Sequence, residues 1–525
     1  VFHVKTEASS GAGADTIFAI ASGIGRSAVA VIRISGCATA SALHALLSGR
    51  LPDPRRAALR RLHDPVSGDL LDQALVLWLP GPTTFTGEDQ AELQIHGSPA
   101  VRAALLRTLA VIPSCRPAEP GEFTRRAFVN GKLDLSAVEG LADLIDAETE
   151  AQRKQAIHQL EGRLATQVED WRERLIDALA ACEAALDFSD EDDVPEDVAT
   201  NAASVADAVR SDVGRALVDA ERGERVREGF QVVIAGAPNA GKSTLLNALA
   251  RRDVAIVSPI PGTTRDIIEI RCDLSGLPVT FIDTAGLRDS EDAIEREGIS
   301  RARQRMERAD LILWLVAADD AAANRSGDAE QRPPAVSRSM HWRDRDAPMH
   351  ASLRDATQSP LRSPQLRYPE EPAQQASAPQ HGEHASSYFG LSSRKESGSP
   401  SPVPEPPCLI IATKADLAPP PAGAQLVVSA VTGAGLPELL ARIETIAAGA
   451  MSGASDALLT RERHRLVLTS VVECLDRAVL VGQGAAIELL AEDIRLALRH
   501  LGRITGAVDV EDVLDRIFAS FCIGK

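Results

Sequence analysis

The chain has 525 residues, 44% of them hydrophobic, 25% charged and 3% aromatic, a length that predicts three domains or two with a disordered stretch and a composition that excludes a membrane-embedded or wholly disordered chain. Its 56 Lys and Arg against 74 Asp and Glu give a net charge of −18, which excludes a whole-molecule field that holds nucleic acid, so any RNA contact is local or delegated to a partner. No apolar run is long enough to span a bilayer. The seven cysteines (Cys37, Cys115, Cys182, Cys272, Cys408, Cys474, Cys522) show neither CxxC pairs nor metal-ligand spacing, which predicts reduced thiols in a cytosol-like compartment without zinc or a disulfide framework.

Residues 1–14 carry no secretory or import pattern and are predicted to be a disordered leader. Strand-like segments at Thr16 to Ala21, Val29 to Ile34, Ala74 to Leu79 and Glu92 to His96 alternate with alanine-rich helical stretches, giving an α/β domain over 15–131. The first half of a helical domain follows over 132–225. There Ile157, Leu160, Leu164, Val168, Trp171, Leu175, Leu179, Cys182 and Leu186 form an eleven-residue apolar repeat, which predicts long, straight helices packed as a bundle. The acidic cluster from Asp187 to Asp197 reads as a solvated loop. A second α/β domain occupies 226–446, and 447–525 returns to helix at Leu466 to Leu480, Ile487 to Leu501 and Val510 to Phe521, so the α/β unit is inserted between two halves of one helical domain. Within it, 319–407 is rich in Ser, Pro, Gln, Arg and Glu and is predicted to be disordered.

The sharpest motif is Gly236-Ala237-Pro238-Asn239-Ala240-Gly241-Lys242-Ser243, between a strand (Phe230 to Ala235) and a helix (Thr244 to Ala250). Glycines let backbone N–H groups converge on phosphate oxygens, Lys242 supplies charge to the terminal phosphates, and Ser243 can ligate Mg²⁺. Asp283-Thr284-Ala285-Gly286 ends the strand Val279 to Ile282, where Asp283 can support Mg²⁺ and the Gly286 amide can sense the γ-phosphate. Thr413-Lys414-Ala415-Asp416 and Ser429-Ala430 follow two further strands; an Asp accepting from the guanine ring N–H and exocyclic amine excludes adenine, so GTP is favoured over ATP. Thr413 stands where Asn is usual, which makes the bond to the base weaker or differently made.

Between these elements Thr264, in Gly262-Thr263-Thr264-Arg265-Asp266, is placed to complete the Mg²⁺ shell as a first switch. Leu287 replaces the water-orienting glutamine of Ras-type GTPases, so catalysis must be completed otherwise. Asn239 can offer an oxygen to a monovalent cation, and Glu295 can position water, although Glu295 by itself reads as an exposed carboxylate among Glu291, Asp292 and Glu297.

With these motifs, Asp15-Thr16-Ile17, Arg33-Ile34-Ser35-Gly36, Phe85-Thr86-Gly87-Glu88-Asp89, Pro120-Gly121-Glu122-Phe123, Lys132-Leu133-Asp134-Leu135 and Cys522-Ile523-Gly524-Lys525 complete a pattern that resembles the MnmE/TrmE family of tRNA uridine-modifying GTPases, over nearly all of the chain except the leader and the insert. The resemblance implies a multidomain α/β plus α fold: an N-terminal folate-binding-like and dimerisation domain, a long helical bundle, and a Ras-like G domain inserted into it. It implies a homodimer and an FAD-dependent partner of the GidA/MnmG family. Together these add an aminomethyl or carboxymethylaminomethyl group to carbon five of the wobble uridine of certain tRNAs, with 5,10-methylene- or 5-formyl-tetrahydrofolate as one-carbon donor. The tRNA is held largely by the partner, without membrane or DNA. GTP, Mg²⁺ and K⁺ are the implied cofactors, and the cytoplasm the implied location.

Residue by residue, the resemblance implies potassium at Asn239, Ser258, Ile260 and Thr263, promoting G-domain pairing and hydrolysis. It puts nucleotide contacts along Asn239 to Thr244, Ser258-Pro259-Ile260-Pro261-Gly262-Thr263-Thr264, Asp283-Thr284-Ala285-Gly286, Thr413, Lys414, Asp416, Ser429 and Ala430. Glu295, Lys242 and Gly286 are the implied catalytic residues, and Arg33, Glu92, Lys132 and Lys525 the implied folate contacts. Cys522 is either a functional thiol or a small buried residue of a terminal helix; the terminal CIGK fits a prenylation signal poorly. A competing reading is a non-modifying switch in ribosome assembly, against which stands the lack of a GxxG loop in a basic context after the G domain. A membrane GTPase of dynamin type lacks an anchor.

Overall fold

The computed structural model describes residues 15–23, 25–47, 49–187, 197–252, 254–256, 269–283, 306, 308–320, 406–421, 423–481, 487–508, 517, 518, 521 and 524. The leader, the acidic residues 188–196, the insert from 321 to 405 and most of the last expected helix lie outside these residues.

The first unit is a six-stranded sheet of β1 (Thr16–Ile20), β2 (Val29–Ser35), β3 (Ala58–His63), β4 (Leu70–Leu79), β5 (Gln90–His96) and β6 (Cys115–Pro117) in the order β3-β4-β5-β2-β1-β6. Sequence reading found four of these; β3, with two consecutive arginines, and the three-residue β6 lack a clear apolar signal. Side chains alternate across a strand, so Ala30, Ile32 and Ile34 of β2 point to one face, where α1 (Thr39–Leu47) and α2 (Pro99–Val111) bring Leu43, Leu46, Leu105 and Leu109 into a common core. That alternation sends Arg33 to the other face, where Ile17, Ala19, Ala118 and Phe123 form a smaller apolar cluster.

After α3 (Glu122–Val129) the helical region is divided into α4 (Leu135–Asp146), α5 (Glu150–Leu160), α6 (Arg163–Asp187) and α7 (Val198–Glu228). The eleven-residue stripe therefore does not run through one helix. It holds in α6, where Leu164, Val168, Trp171, Leu175 and Cys182 are buried. It fails in α5, which buries Gln155, Ala156 and Gln159 and leaves Ile157 and Leu160 only partly covered. The cause is Gly162, whose φ of +80° ends α5 and rotates the two helices out of phase.

A seven-stranded sheet follows: β7 (Phe230–Gly236), β8 (Ala255–Ile256), β9 (Glu269–Leu274), β10 (Leu277–Asp283), β11 (Leu311–Ala317), β12 (Cys408–Thr413) and β13 (Leu426–Val427), in the order β13-β12-β11-β7-β10-β9-β8. β7, β10, β11, β12 and β13 run parallel and read as near-continuous apolar runs, as strands covered on both faces do. α8 (Lys242–Ala250) and α9 (Leu436–Ala450) pack on one face through Leu245, Leu249, Leu439 and Ile443. The ends of the expected disordered insert are ordered: Ala318–Asp320 forms a 3-10 turn, and Pro407 O accepts from Ile312 N at 2.9 Å. Parallel pairing of β11 with β12 fixes both ends of the connection, which composition alone does not register.

The chain returns to helix in α10 (Glu462–Val481) and α11 (Ile487–Thr505). Leu468, Val471, Leu475, Ile494 and Leu501 share one core with Leu164, Val168, Trp171, Val209 and Val213, so helices from before and after the seven-stranded sheet complete each other. Gly223 of α7 lets the segment before α10 pack against it: a Cβ there would lie 2.0 Å from Leu459 O.

Candidate functional site

The phosphate loop joins β7 to α8. At Gly236, φ is +144° and a Cβ would lie 2.5 Å from Leu315 O on the neighbouring strand, so only glycine fits. Asn239 (φ 63°) and Gly241 (φ 89°) take left-handed conformations, and Gly241 caps α8. The result is a concave loop leading into a helix N-terminus, where amides and the helix dipole favour anions. Lys242 Nζ donates to Gly236 O and Ala237 O, both at 2.9 Å, and so lies across the mouth of the loop. Ser243 Oγ donates to Asp283 Oδ2 at 3.0 Å, which sets two hard oxygen ligands suited to Mg²⁺ beside the lysine. Parallel register brings these groups to one sheet edge, since Asp283 pairs with Ile234, Leu315 with Gly236 and Ala317 with Thr413.

At that edge Thr413 is buried, and its Oγ1 donates to Ala240 O at 2.7 Å, tying the end of β12 to the phosphate loop. Asp416 is exposed and oriented by Ser429 Oγ, which donates to its Oδ1 at 2.7 Å; Thr432 N in turn donates to Ser429 Oγ at 3.1 Å. Lys414, at φ 57°, pairs with Asp319 at 2.8 Å. Sequence reading missed Asp319 because it opens the low-complexity stretch; its signal is an acidic residue just past an apolar strand whose neighbour ends in Thr413-Lys414-Ala415-Asp416.

Asn239, Ala240, Gly241, Lys242, Ser243, Thr244, Asp283, Thr413, Lys414, Asp416, Ser429 and Ala430 thus gather at one sheet edge. Ser258, Pro259, Ile260, Pro261, Gly262, Thr263, Thr264, Thr284, Ala285, Gly286 and Glu295 lie outside the described residues, as do Cys522 and Lys525. The other six cysteines are free, and burial pushes the Cys272 thiol up to about 12 and that of Cys408 to about 11, which leaves both protonated.

A second constellation lies on the first sheet. Arg33 and Glu92 are directly opposed across β2 and β5, with Nη2 3.0 Å from Oε1. The guanidinium also lies 5.7 Å from the Phe85 ring centroid and 5.9 Å from that of Phe123. Phe85 begins a loop in which Gly87 (φ 81°) leaves room for Lys132, whose Cε is 3.0 Å from where a Cβ would stand. Behind the pair, Ser35 Oγ meets Thr86 Oγ1 and Glu88 Oε2, each at 2.7 Å, and Arg126 bridges Glu88 to Glu122. Burial alone would raise the Glu122 carboxyl, but bonds from Arg116, the Glu119 amide and Arg126 hold it below the ordinary range. Asp15, Ser35, Thr86, Glu88 and Glu122, from four of the short motifs, therefore join Arg126 in one polar network. Gly524, from the far end of the chain, packs so closely on the end of β1 that a Cβ would lie 2.1 Å from Ile20 O.

Residues 135–522 match the family described as "MnmE helical domain", and residues 16–132 the one described as "GTP-binding protein TrmE N-terminus". The chain belongs to the MnmE family. It is 51% identical over 520 residues to the tRNA modification GTPase MnmE of Methylorubrum populi, a match covering 97% of this chain and 98% of that one. With the tRNA modification GTPase MnmE of a Methylobacterium species, strain 4-46, it shares 50% identity over 516 residues, covering 97% and 100%. A solved structure of Era with MgGDPNP and part of 16S ribosomal RNA is 22% identical over 41% of this chain and 56% of that one; its TM-score of 0.21 carries no weight. Membership makes this MnmE-family chain a GTP hydrolase of tRNA modification, with GTP binding vested in its P-loop fold. Among the described residues no helix is long and apolar enough to cross a membrane.

Proposed function

We propose that the chain is the GTP-hydrolysing subunit of a cytoplasmic complex that, with an FAD-dependent partner of the MnmG family, adds an aminomethyl or carboxymethylaminomethyl group to carbon five of the wobble uridine of certain tRNAs, taking the one-carbon unit from a reduced folate. The observation that carries this reading is the Arg33 and Glu92 pair between Phe85 and Phe123, with Lys132 against the loop that Phe85 begins. Arg33 and Lys132 suit a carboxylate tail, Glu92 accepts from the amide edge of a pterin, and the two rings supply apolar walls. Lys525, one residue past Gly524, is assigned to the same ligand. The outer face of this sheet also exposes Leu59 directly opposite Leu75, an apolar pair suited to burial in a homodimer.

In the nucleotide site Lys242 neutralises the terminal phosphates, Asp416 reads guanine, Asn239 with Ser258, Ile260 and Thr263 holds K⁺, and Glu295 orients the attacking water. Ser243 and Thr264 hold Mg²⁺, with Asp283 behind them; when bound, the ion neutralises charge developing on the phosphate oxygens. Potassium-dependent pairing of G domains brings Glu295 to its place. The domain arrangement follows the boundaries at 15–131, 132–225, 226–446 and 447–525, with the G domain inserted.

GTP turnover by the purified chain in potassium and in sodium at equal ionic strength tests the cation and dimer parts. Activation by potassium that is lost in Asn239→Ala, with Glu295→Ala slow even in potassium, supports them; equal rates in both salts overturn them. Binding of 5-formyltetrahydrofolate, abolished in Arg33→Ala, tests the donor site, and its absence from the unmodified protein favours a switch without modifying chemistry.

A further inference from the structure

Thr413 ends β12 between the phosphate loop and Asp416, where the family resemblance puts an Asn side chain against the base. Its hydroxyl is buried and has two recorded neighbours, Ala240 O at 2.7 Å and Val316 O at 3.5 Å. Both are carbonyl oxygens, which only accept. A threonine hydroxyl has one proton, and here it is committed to Ala240. What remains on Oγ1 is lone pairs, whereas guanine presents N7 and O6 on its major-groove edge, both acceptors. Acceptor cannot bond to acceptor, so while Thr413 holds β12 to the phosphate loop it reads neither atom. Asp416 is the opposite case: it is exposed, Ser429 orients it through one oxygen, and its remaining lone pairs are free to accept from the N1–H and 2-amino donors of guanine.

We propose that Thr413 is a positioning residue that pins the base-reading segment to the phosphate loop without touching the base, so that the nucleotide is selected on its 2-amino-6-oxo edge and atom 7 goes unread. This rests on the assignment of Asp416 to the base. The ligand class is purine nucleotides with that edge, whatever the atom at position 7.

The test is competition against a fluorescent GDP analogue on the full chain, using GDP, 7-deaza-GDP, which has carbon in place of N7, and IDP, which lacks the 2-amino group. GDP and 7-deaza-GDP are expected to bind within about twofold of each other, because no hydrogen bond is lost. IDP is expected to bind at least about tenfold more weakly, since an aspartate lone pair is left unmet. Thr413→Asn adds an amide donor at the same place and is expected to create a preference of about fivefold for GDP over 7-deaza-GDP. A preference of that size in the unmodified protein overturns the proposal, because the hydroxyl proton has then turned to N7. IDP binding as tightly as GDP instead overturns the Asp416 assignment, and the two failures are separable.

Discussion

Arg227 and Arg461 meet on a single carboxylate oxygen: Asp143 Oδ1 lies 3.0 Å from Arg227 Nε and 2.7 Å from Arg461 Nη2. Arg227 stands just before β7 and Arg461 just before α10, so α4 grips the chain both where it enters the seven-stranded unit and where it leaves. All three side chains are mostly covered. Asp143→Asn is expected to cost about 1–3 kcal/mol, measured by urea unfolding, and to speed amide exchange in residues 225–231. Arg222→Ala, which breaks an exposed pair with Asp219, serves as the near-neutral control.

One turn earlier on the same helix, Glu139 is almost wholly buried beneath Arg463 and His464. Burial disfavours its charge, yet His464 and Arg463 together hold its carboxyl well below the usual carboxylate range. Burial pushes His464 down from 6.5 against the pull of Glu139, with Arg463 and Arg461 acting in the same sense as burial. The neutral ring donates from Nε2 to Glu139 Oε2 at 3.0 Å, and Nδ1 has no hydrogen-bond partner among the described residues. The unfolded chain therefore takes up a proton at His464 below 6.5, and another at Glu139 below 4.5, that the folded chain refuses. Stability is expected to fall as pH drops through both windows. The upper part of that fall should flatten in His464→Gln and the lower in Glu139→Gln, read as urea midpoints from pH 7 down to about 3. At neutral pH Glu139→Gln is expected to cost about 3 kcal/mol, because Arg463 loses its counter-charge.

The hydrogen bond between Ser243 and Asp283 ties α8 to the end of β10 at the place assigned to Mg²⁺. Ser243→Ala is expected to lower GTP turnover by about a hundredfold. Affinity for GDP measured without Mg²⁺ should change by no more than about threefold. A loss confined to Mg²⁺-containing buffer is the result that assigns the hydroxyl to the metal.

Arg33 and Glu92 are each about a quarter exposed, so their pairing adds little to stability, about 1 kcal/mol or less. Glu92→Gln and Arg33→Met should therefore leave the thermal midpoint nearly unchanged. Binding of 5-formyltetrahydrofolate by calorimetry is expected to weaken at least about tenfold in each. A large drop in the thermal midpoint with binding intact would make the pair a structural one.

The parallel strands of the seven-stranded sheet were legible as uninterrupted apolar runs, such as Leu311 to Ala317, whereas the antiparallel β8 and β9, one of two residues and one with charges at Glu269, Arg271 and Asp273, were not. The phosphate loop was legible because its glycines answer to local backbone geometry. What the sequence withheld is tertiary. The N-terminal motifs gave no hint that Ser35, Thr86, Glu88 and Arg126 form one network, since each is an ordinary polar residue until β2 and the 85–89 loop meet. Gln155 and Gln159 take buried places on α5 because distant groups meet them: Gln155 Nε2 donates to Gly223 O at 3.0 Å, and Gln159 Oε1 accepts from Thr460 at 2.6 Å. Thr413 was visible as a departure from the usual asparagine, but where its proton goes required the neighbouring Ala240 carbonyl.

The core shared by α6, α7, α10 and α11 also dictates an order of events during synthesis. The apolar stripe of Leu164, Val168 and Trp171 leaves the ribosome about 290 residues before Leu459 and the helices that cover it. At about 5–20 residues per second, that stripe waits on the order of ten seconds or longer with half of its partners unmade. The seven-stranded unit, by contrast, is complete once α9 is made and can close within that interval, before Arg461 emerges to join Asp143. The helical pair upstream is therefore the part of the nascent chain most in need of a chaperone, and slow codons after residue 450 would prolong its exposure.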